Sequence, residues 1–281
     1  MMPAPVIDNV SALRKAVSEW RRESQTIALV PTRRALHEGH LSLVRIARQE
    51  ANRVIVSLLP DHGIDMARKV EESSRKLSGL ADIVFAPPLS TMVREREYTT
   101  VTLSGPAEAG LEDRFDPDHF RGAATMAAKL FNLAHPDIAV LGEKHYQELL
   151  VVRRMTEDLH FPVRIVSGPI LREAGGLAVS ARNRHLSKDH RAHAAILFQT
   201  LKSCAEGLSA GDAMADVLEA GWAVLSKADF KVDYLDARDA LTLAPASQSS
   251  GSLRLFVAAR LGATRLIDNV AIPQFSMQSS R

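Results

Sequence analysis

Two histidines three positions apart, His37 and His40, with Gly39 between them, point most directly to chemistry in this 281-residue chain. On a helix, residues three apart share a face. Two imidazoles on one face can donate hydrogen bonds to phosphate oxygens, and such donors count most where charge builds in a transition state. Gly39 lets another group approach the backbone closely. The first turn of a helix adds free N–H groups and a partial positive charge, which suit phosphate.

That chemistry needs a helix beginning at the histidines, and the flanking sequence supplies one. Thr26–Val30 is an apolar run of strand length, Pro31 and Thr32 break it, and Leu41, Leu43, Val44 and Ile46 follow at amphipathic spacing. Further strands are expected at Arg53–Leu59, Asp82–Ala86 (ended by Pro87-Pro88), near Thr99–Leu103, at Ile138–Leu141 and at Val163–Val166. Helices are expected over 8–21, 65–80, 119–134 and 145–159, with a polar loop at 112–118. The Lys/Glu/Arg run within 65–80 reads as a solvated face. Alternating strands and helices predict a parallel sheet covered on both faces. Ligands of such sheets bind beyond the carboxyl ends of the strands, where His37–His40 and Gly142-Glu143-Lys144-His145 both fall.

Near residue 170 the pattern changes. Residues 169–183 form a loop with paired glycines, Gly175 and Gly176. Helices are expected over about 187–208 and 211–228, strands at Lys231–Asp236 and Leu253–Ala258, and a flexible turn over 245–252. The expected organisation is an α/β domain over 1–170 and a smaller α+β domain over 171–281.

Composition narrows the partners. Thirty-five Lys and Arg nearly balance 33 Asp and Glu, so a net charge of +2 makes no general case for nucleic acid or membrane. A lone cysteine, Cys204, excludes an internal disulfide and a cysteine-rich zinc site. No apolar run approaches the ~20 residues of a membrane span. The N-terminus lacks the pattern of a signal peptide, so a cytoplasmic location is expected. His135 and His160 sit at element ends and read as structural. His185, His190 and His193 decorate a helix start, and no metal site is read into them.

Longer stretches carry a resemblance. VPTRRALHEGHLSLV at 30–44, HFRG at 119–122, AKLFNLAHPDIAVLGEK at 128–144, PILREAGGLAVSARNRHLS at 169–187, VDYLDAR at 232–238 and AARLGATRLIDN at 258–269 resemble the pantoate–β-alanine ligases. These are pantothenate synthetases of the H-x-G-H nucleotidyltransferase superfamily. The resemblance implies a Rossmann-like, doubly wound domain, a smaller domain that closes over the site, and a homodimer. It implies ATP with Mg2+, and small-molecule acid and amine substrates joined through an acyl-adenylate. His37 and His40 would hold phosphate oxygens, and Lys144 would place a point charge on the phosphates. Ser180 and Arg182 would clamp the β- and γ-phosphates. Backbone near Pro31, Gly142 and Leu171 would receive the adenosine, with Thr32, Arg33, Gly39, His145, Val179 and Ala181 completing the nucleotide site. The acid pocket would involve Asp61, Ile64, Arg121, Gln147 and Glu148.

The chain also departs from the family. Arg33-Arg34 stands where Met-Gly is usual, and LPDHGID at 59–65 stands where an F-V-N-P-x-Q-F stretch is usual. This places Asp61 and Ile64 at the Asn and Gln positions, and the stretch before Arg68 is shortened. His145 and Glu148 occupy the places of Asp and the second Gln, and Ala181 that of a second Ser. Ionised Asp61 and Glu148 would repel a substrate carboxylate unless paired, and Arg33, Arg34 and His145 are the expected cations. The departures imply an acid other than pantoate, or pantoate met by different contacts. Two alternatives share the nucleotide motifs: a paralogue that binds without ligating, and a nucleotidyltransferase that stops at the adenylylated product.

Overall fold

A computed structural model describes residues 2–33, 36–59, 66–93, 99–246 and 251–273. The chain divides into two compact units, one of Met1–Ala107 with Glu112–Ile170, the other of Glu108–Leu111 with Leu171–Arg281.

The first unit is a six-stranded, all-parallel sheet with helices on both faces. Its strands are β1 (Val6–Ile7), β2 (Ile27–Thr32), β3 (Arg53–Leu58), β4 (Ile83–Phe85), β5 (Ile138–Gly142) and β6 (Arg164–Gly168). Its helices are α1 (Val10–Arg22), α2 (Glu38–Glu50), α3 (Met66–Lys76), α4 (Leu89–Met92), α5 (His119–Ala134) and α6 (Tyr146–Asp158). The period-2 alternation of strand side chains builds both cores at once. Ile27 and Leu29 pack with Leu13 and Val17 of α1 and Phe120 and Phe131 of α5. Their neighbours Ala28 and Val30 pack on the opposite face with Leu41 and Val44 of α2 and with Leu77. This is the doubly wound, Rossmann-like arrangement that the resemblance implies.

Spatial order is β1-β4-β3-β2-β5-β6. The chain builds outward from β2 in one direction through β3 and β4, then returns to add β5 and β6 on the other side. One device anchors two of these strands at their amino ends. Asp137, just before β5, donates its N–H to Ile27 O and accepts the Ile27 N–H at 2.7 Å. Asp82, just before β4, does the same with Val54, at 2.8 Å. Arginines neutralise both acids, Arg21 at 2.7 Å from Asp137 and Arg48 at 2.6 Å from Asp82.

Residues 99–104 form no strand, contrary to the sequence expectation. Val101 and Leu103 are instead partly buried against the first core, and the Val101 N–H donates to Thr125 Oγ1 at 2.9 Å, which leaves it no ladder partner.

The second unit contains α7 (Lys188–His193), α8 (Ala195–Ala210), α9 (Met214–Lys227) and an antiparallel sheet in the order β7 (Phe230–Asp239), β8 (Leu253–Leu261), β9 (Thr264–Ile272). The single helix expected over 187–208 is interrupted at Ala194, where α7 gives way to α8. The tail after residue 262 supplies the third strand. Leu261 pairs Thr264 across a two-residue turn at Gly262, whose φ of +56° suits such hairpins. Among the described residues, no helix is long and apolar enough to cross a membrane.

Candidate active site

Strand order reverses between β2 and β5. Their register runs over Ala28↔Ile138 and Leu29↔Ala139, while β2 continues to Thr32 and β5 to Gly142. A crevice beyond the carboxyl ends at such a reversal is where doubly wound sheets bind ligands. His37 and His40 leave β2 into α2, and Lys144 and His145 leave β5 into a short 3-10 turn over Glu143–His145. The two motifs therefore arrive from opposite sides of one reversal.

His37 is the extended residue before α2, and His40 lies in its first turn. Their rings stack with centroids 3.9 Å apart. His40 Nδ1 accepts the His37 backbone N–H at 3.4 Å, which leaves Nε2 as the protonated nitrogen of a neutral ring, free to donate. Burial, then the neighbouring His37 and His145, pushes His40 down to about 3. Burial, then Lys144 and Lys76, lowers His37 as well. His37 Nδ1 is buried without a hydrogen-bond partner. Buried polar atoms are nearly always satisfied, so such an atom calls for an explanation, and a group kept for binding is one. Lys76, exposed on the solvated face read from sequence, also donates to Leu36 O at 3.2 Å, just before the histidines.

Two glycines hold α2 against the sheet. Gly142 and Gly168 are register partners at the carboxyl ends of β5 and β6. A Cβ on Gly142 would lie 3.4 Å from Leu43 Cδ1, and one on Gly168 only 2.1 Å from Leu43 Cδ2. Leu43 of α2 sits in the hollow that the missing side chains leave, close to both motifs.

Glu148 has a partner that the sequence reading did not assign to it. His119 Nε2 lies 3.0 Å from Glu148 Oε2, and each side chain is 29% exposed. Burial pushes the Glu148 carboxyl up, but the His119 hydrogen bond and the charges of His145, His119 and Arg33 bring it to about 2. The bond to Glu148 outweighs burial at His119 and raises its imidazole. Arg33 and His145, expected as direct partners of Glu148, add charge nearby, while the hydrogen bond comes from the first residue of α5.

Other expected site residues are committed elsewhere. Thr32 is buried and its hydroxyl donates to Ser57 O at 2.6 Å, tying β2 to β3. The Gln147 amide accepts from Glu112 N at 2.9 Å and donates to Pro106 O and Asp113 Oδ1, both at 2.8 Å, so it braces a loop. Arg121 pairs with Asp118 at 3.0 Å on an exposed helix surface. Arg34, Asp61 and Ile64 lie outside the described residues. Among the described residues, no group of three or more His, Cys, Asp or Glu side chains could hold a metal ion.

In the second unit, Leu171 is 38% exposed and starts a tight hairpin in which Arg172 bridges Ala178. The Val179 N–H donates to Leu171 O at 2.8 Å. Ser180 then caps a 3-10 helix over Ala181–His185, its Oγ accepting from Arg182 N at 3.2 Å. The two histidines read as structural, His135 at the end of α5 and His160, both take a left-handed conformation, and His193, read as decorating a helix start, lies 2.8 Å from Ala228 O.

Comparison with known proteins agrees with this geometry. The family model for pantoate–β-alanine ligase matches residues 5–271. The chain is 44% identical to a pantothenate synthetase of Bradyrhizobium sp. strain BTAi1, over 95% of this chain and 98% of the relative. It is 43% identical to one of Rhodopseudomonas palustris strain BisB18, over 97% of this chain and 100% of the relative. The crystal structure of pantothenate synthetase from Thermus thermophilus superposes with a TM-score of 0.86 at 38% identity, covering 95% of this chain and 99% of that one. The doubly wound sheet, the histidine pair at its reversal and this near-complete match together place the chain in the pantoate–β-alanine ligase family.

Proposed function

We propose that this chain condenses pantoate with β-alanine while cleaving ATP to AMP and pyrophosphate. In the first step a pantoate carboxylate oxygen attacks the α-phosphorus, the bond to the bridging oxygen breaks, and pyrophosphate leaves. In the second, the neutral β-alanine amine attacks the acyl carbon, the attacking nitrogen releases a proton to solvent, and AMP departs with the bonding electron pair. The carrying observation is the stacked, neutral His37–His40 pair, with a partnerless buried nitrogen, at the strand-order reversal. Neutral, partly buried rings can donate to phosphate oxygens as charge accumulates there. Lys144 adds a positive charge from the β5 side, and Ser180 and Arg182 are the residues that the family resemblance assigns to the β- and γ-phosphates. Mg2+ would come with the nucleotide and offset its phosphate charge, as this ion commonly does.

Pantoate is favoured over another acid by the pairing of Glu148. Its charge is met by His119 at 3.0 Å, so it does not stand as a bare anion against a substrate carboxylate. Arg33 and His145 lie near enough to help hold the Glu148 carboxyl down.

Pyrophosphate exchange and steady-state turnover with pantoate, β-alanine and ATP test the proposal. We expect turnover with a pantoate KM inside the common range of about 1 μM–1 mM. His40→Ala should abolish exchange in a protein that keeps its circular dichroism. Exchange surviving His40→Ala would refute the role of the pair. Exchange without amide product would mean an enzyme that stops at the adenylate, and neither activity would mean a paralogue that only binds.

We also propose a homodimer, on the family resemblance. Light scattering at micromolar concentration should give twice the chain mass, and a monomer mass would dispose of it.

A further inference from the structure

Ser180 and Arg182 lie on a short loop, and a loop clamps phosphate well only if something holds it. The hairpin before them turns at Glu173–Gly176, where the Gly176 N–H donates to Glu173 O at 2.8 Å. Gly176 has a φ of +97°, and a Cβ there would sit 2.5 Å from Phe198. The hairpin is thus pressed against α8 at its tip.

One side chain ties that tip to the sheet. Arg172 donates through Nη1 to Gly176 O at 3.0 Å and to Asp268 Oδ2 at 2.6 Å. Its Nη2 donates to Asp268 Oδ1 at 3.0 Å and reaches Asn269 O at 3.5 Å. The guanidinium also lies 3.7 Å from the centre of the Phe198 ring. Asp268, in β9, is 2% exposed at its side chain, and Arg172 is 19% exposed. A fork-to-fork pair of this kind fixes direction as well as distance. A second tie continues the path. Asn183, in the 3-10 helix after Ser180, donates to Ala178 O at 3.0 Å and to Glu173 Oε1 at 2.9 Å. Glu173 in turn receives both arms of Arg191, at 2.8 Å each.

We propose that Arg172 and Asp268 are positioning residues for nucleotide binding: their paired fork holds the hairpin in the place from which Ser180 and Arg182 meet the β- and γ-phosphates of ATP. The inference rests on the reading of Ser180 and Arg182 as triphosphate contacts. Neither Arg172 nor Asp268 touches the substrate in this scheme.

The test compares two probes, β,γ-methylene ATP and AMP, by equilibrium binding to the full chain. AMP lacks the phosphates that the loop would hold. Arg172→Lys keeps the charge but loses the fork, and Asp268→Asn keeps the shape but loses the charge, so one variant suffices if the other misfolds. We expect β,γ-methylene ATP to bind about tenfold more weakly in either variant, and AMP, which meets only the adenosine contacts near Leu171, to weaken by clearly less. Equal weakening of both probes, or of neither, would overturn the proposal. Arg182→Ala runs in parallel. If it weakens β,γ-methylene ATP and the positioning variants do not, the brace alone fails. If it leaves that affinity unchanged, the phosphate role of the loop fails, and the proposal with it.

Discussion

Burial and the rings of His37 and His145 hold the His40 imidazole near 3, so at neutral pH the ring meets its ligand uncharged. In the unfolded chain the ring titrates near its ordinary 6.5. Between those values the native state binds fewer protons than the unfolded one, so stability must fall as the pH falls from 6.5 toward 3. Relative to His40→Gln, the wild type should lose about 1.4 kcal/mol of unfolding free energy per pH unit below 6.5. Urea unfolding in steps from neutral to about pH 5 reads this difference. A difference that stays flat with pH would overturn the assignment. The two members of the Glu148–His119 pair run in opposite directions, His119 against His40 and Glu148 with it. The raised His119 supports folding below its ordinary 6.5 and loses that effect as pH rises through its folded value. The lowered Glu148 supports folding above its ordinary 4.5 and loses that effect as pH falls toward 2. His37, His40 and Lys144 could be read from sequence because each follows a strong strand pattern. The His119–Glu148 contact could not, since it joins helices across 29 residues, nor could Arg172–Asp268 across 96. Only the HFRG stretch hinted at His119.

Among the elements, α2 depends on a seat that has no room for a side chain. Gly168 has no left-handed backbone to excuse it, so its need is one of space alone: Leu43 Cδ2 lies 2.1 Å from where its Cβ would be. Gly168→Ala should cost about 1–3 kcal/mol in urea unfolding, the usual penalty for overpacking a core. It should also slow pyrophosphate exchange by displacing the helix that carries His40. Adding Leu43→Ala should recover part of both losses, and purely additive effects would refute direct packing. Strands with unbroken apolar runs, such as those of β2, β3 and β5, were readable because burial on both faces leaves that mark. The two-residue β1 carries too little sequence to show a period. Residues 99–103 alternate like a strand, yet the Val101 amide is engaged by α5. The break between α7 and α8 falls in an alanine-rich stretch with no Gly or Pro to announce it.

For the molecule as a whole, the two flanks of β2 differ greatly in how far apart they lie along the chain. Toward β3, Thr26 meets Asn52 across 26 residues; toward β5, Ile27 meets Asp137 across 110. Contacts between distant segments form late, because the intervening chain must first be ordered. On a ribosome, the histidine pair and Lys144 therefore cannot come together until the second flank has emerged, however early the histidines are made. The short β2–β5 register makes the same seam the natural place for native breathing. In the proposed complex the nucleotide reaches across it, held from one side by the histidine pair and from the other by Lys144, and so acts as a staple as well as a reactant. Deuterium uptake should slow more at Val140 and Leu141 than at Ile55 and Val56 when β,γ-methylene ATP is added. Equal slowing in both strands would mean that the ligand tightens the sheet generally and leaves the seam no weaker than its neighbours.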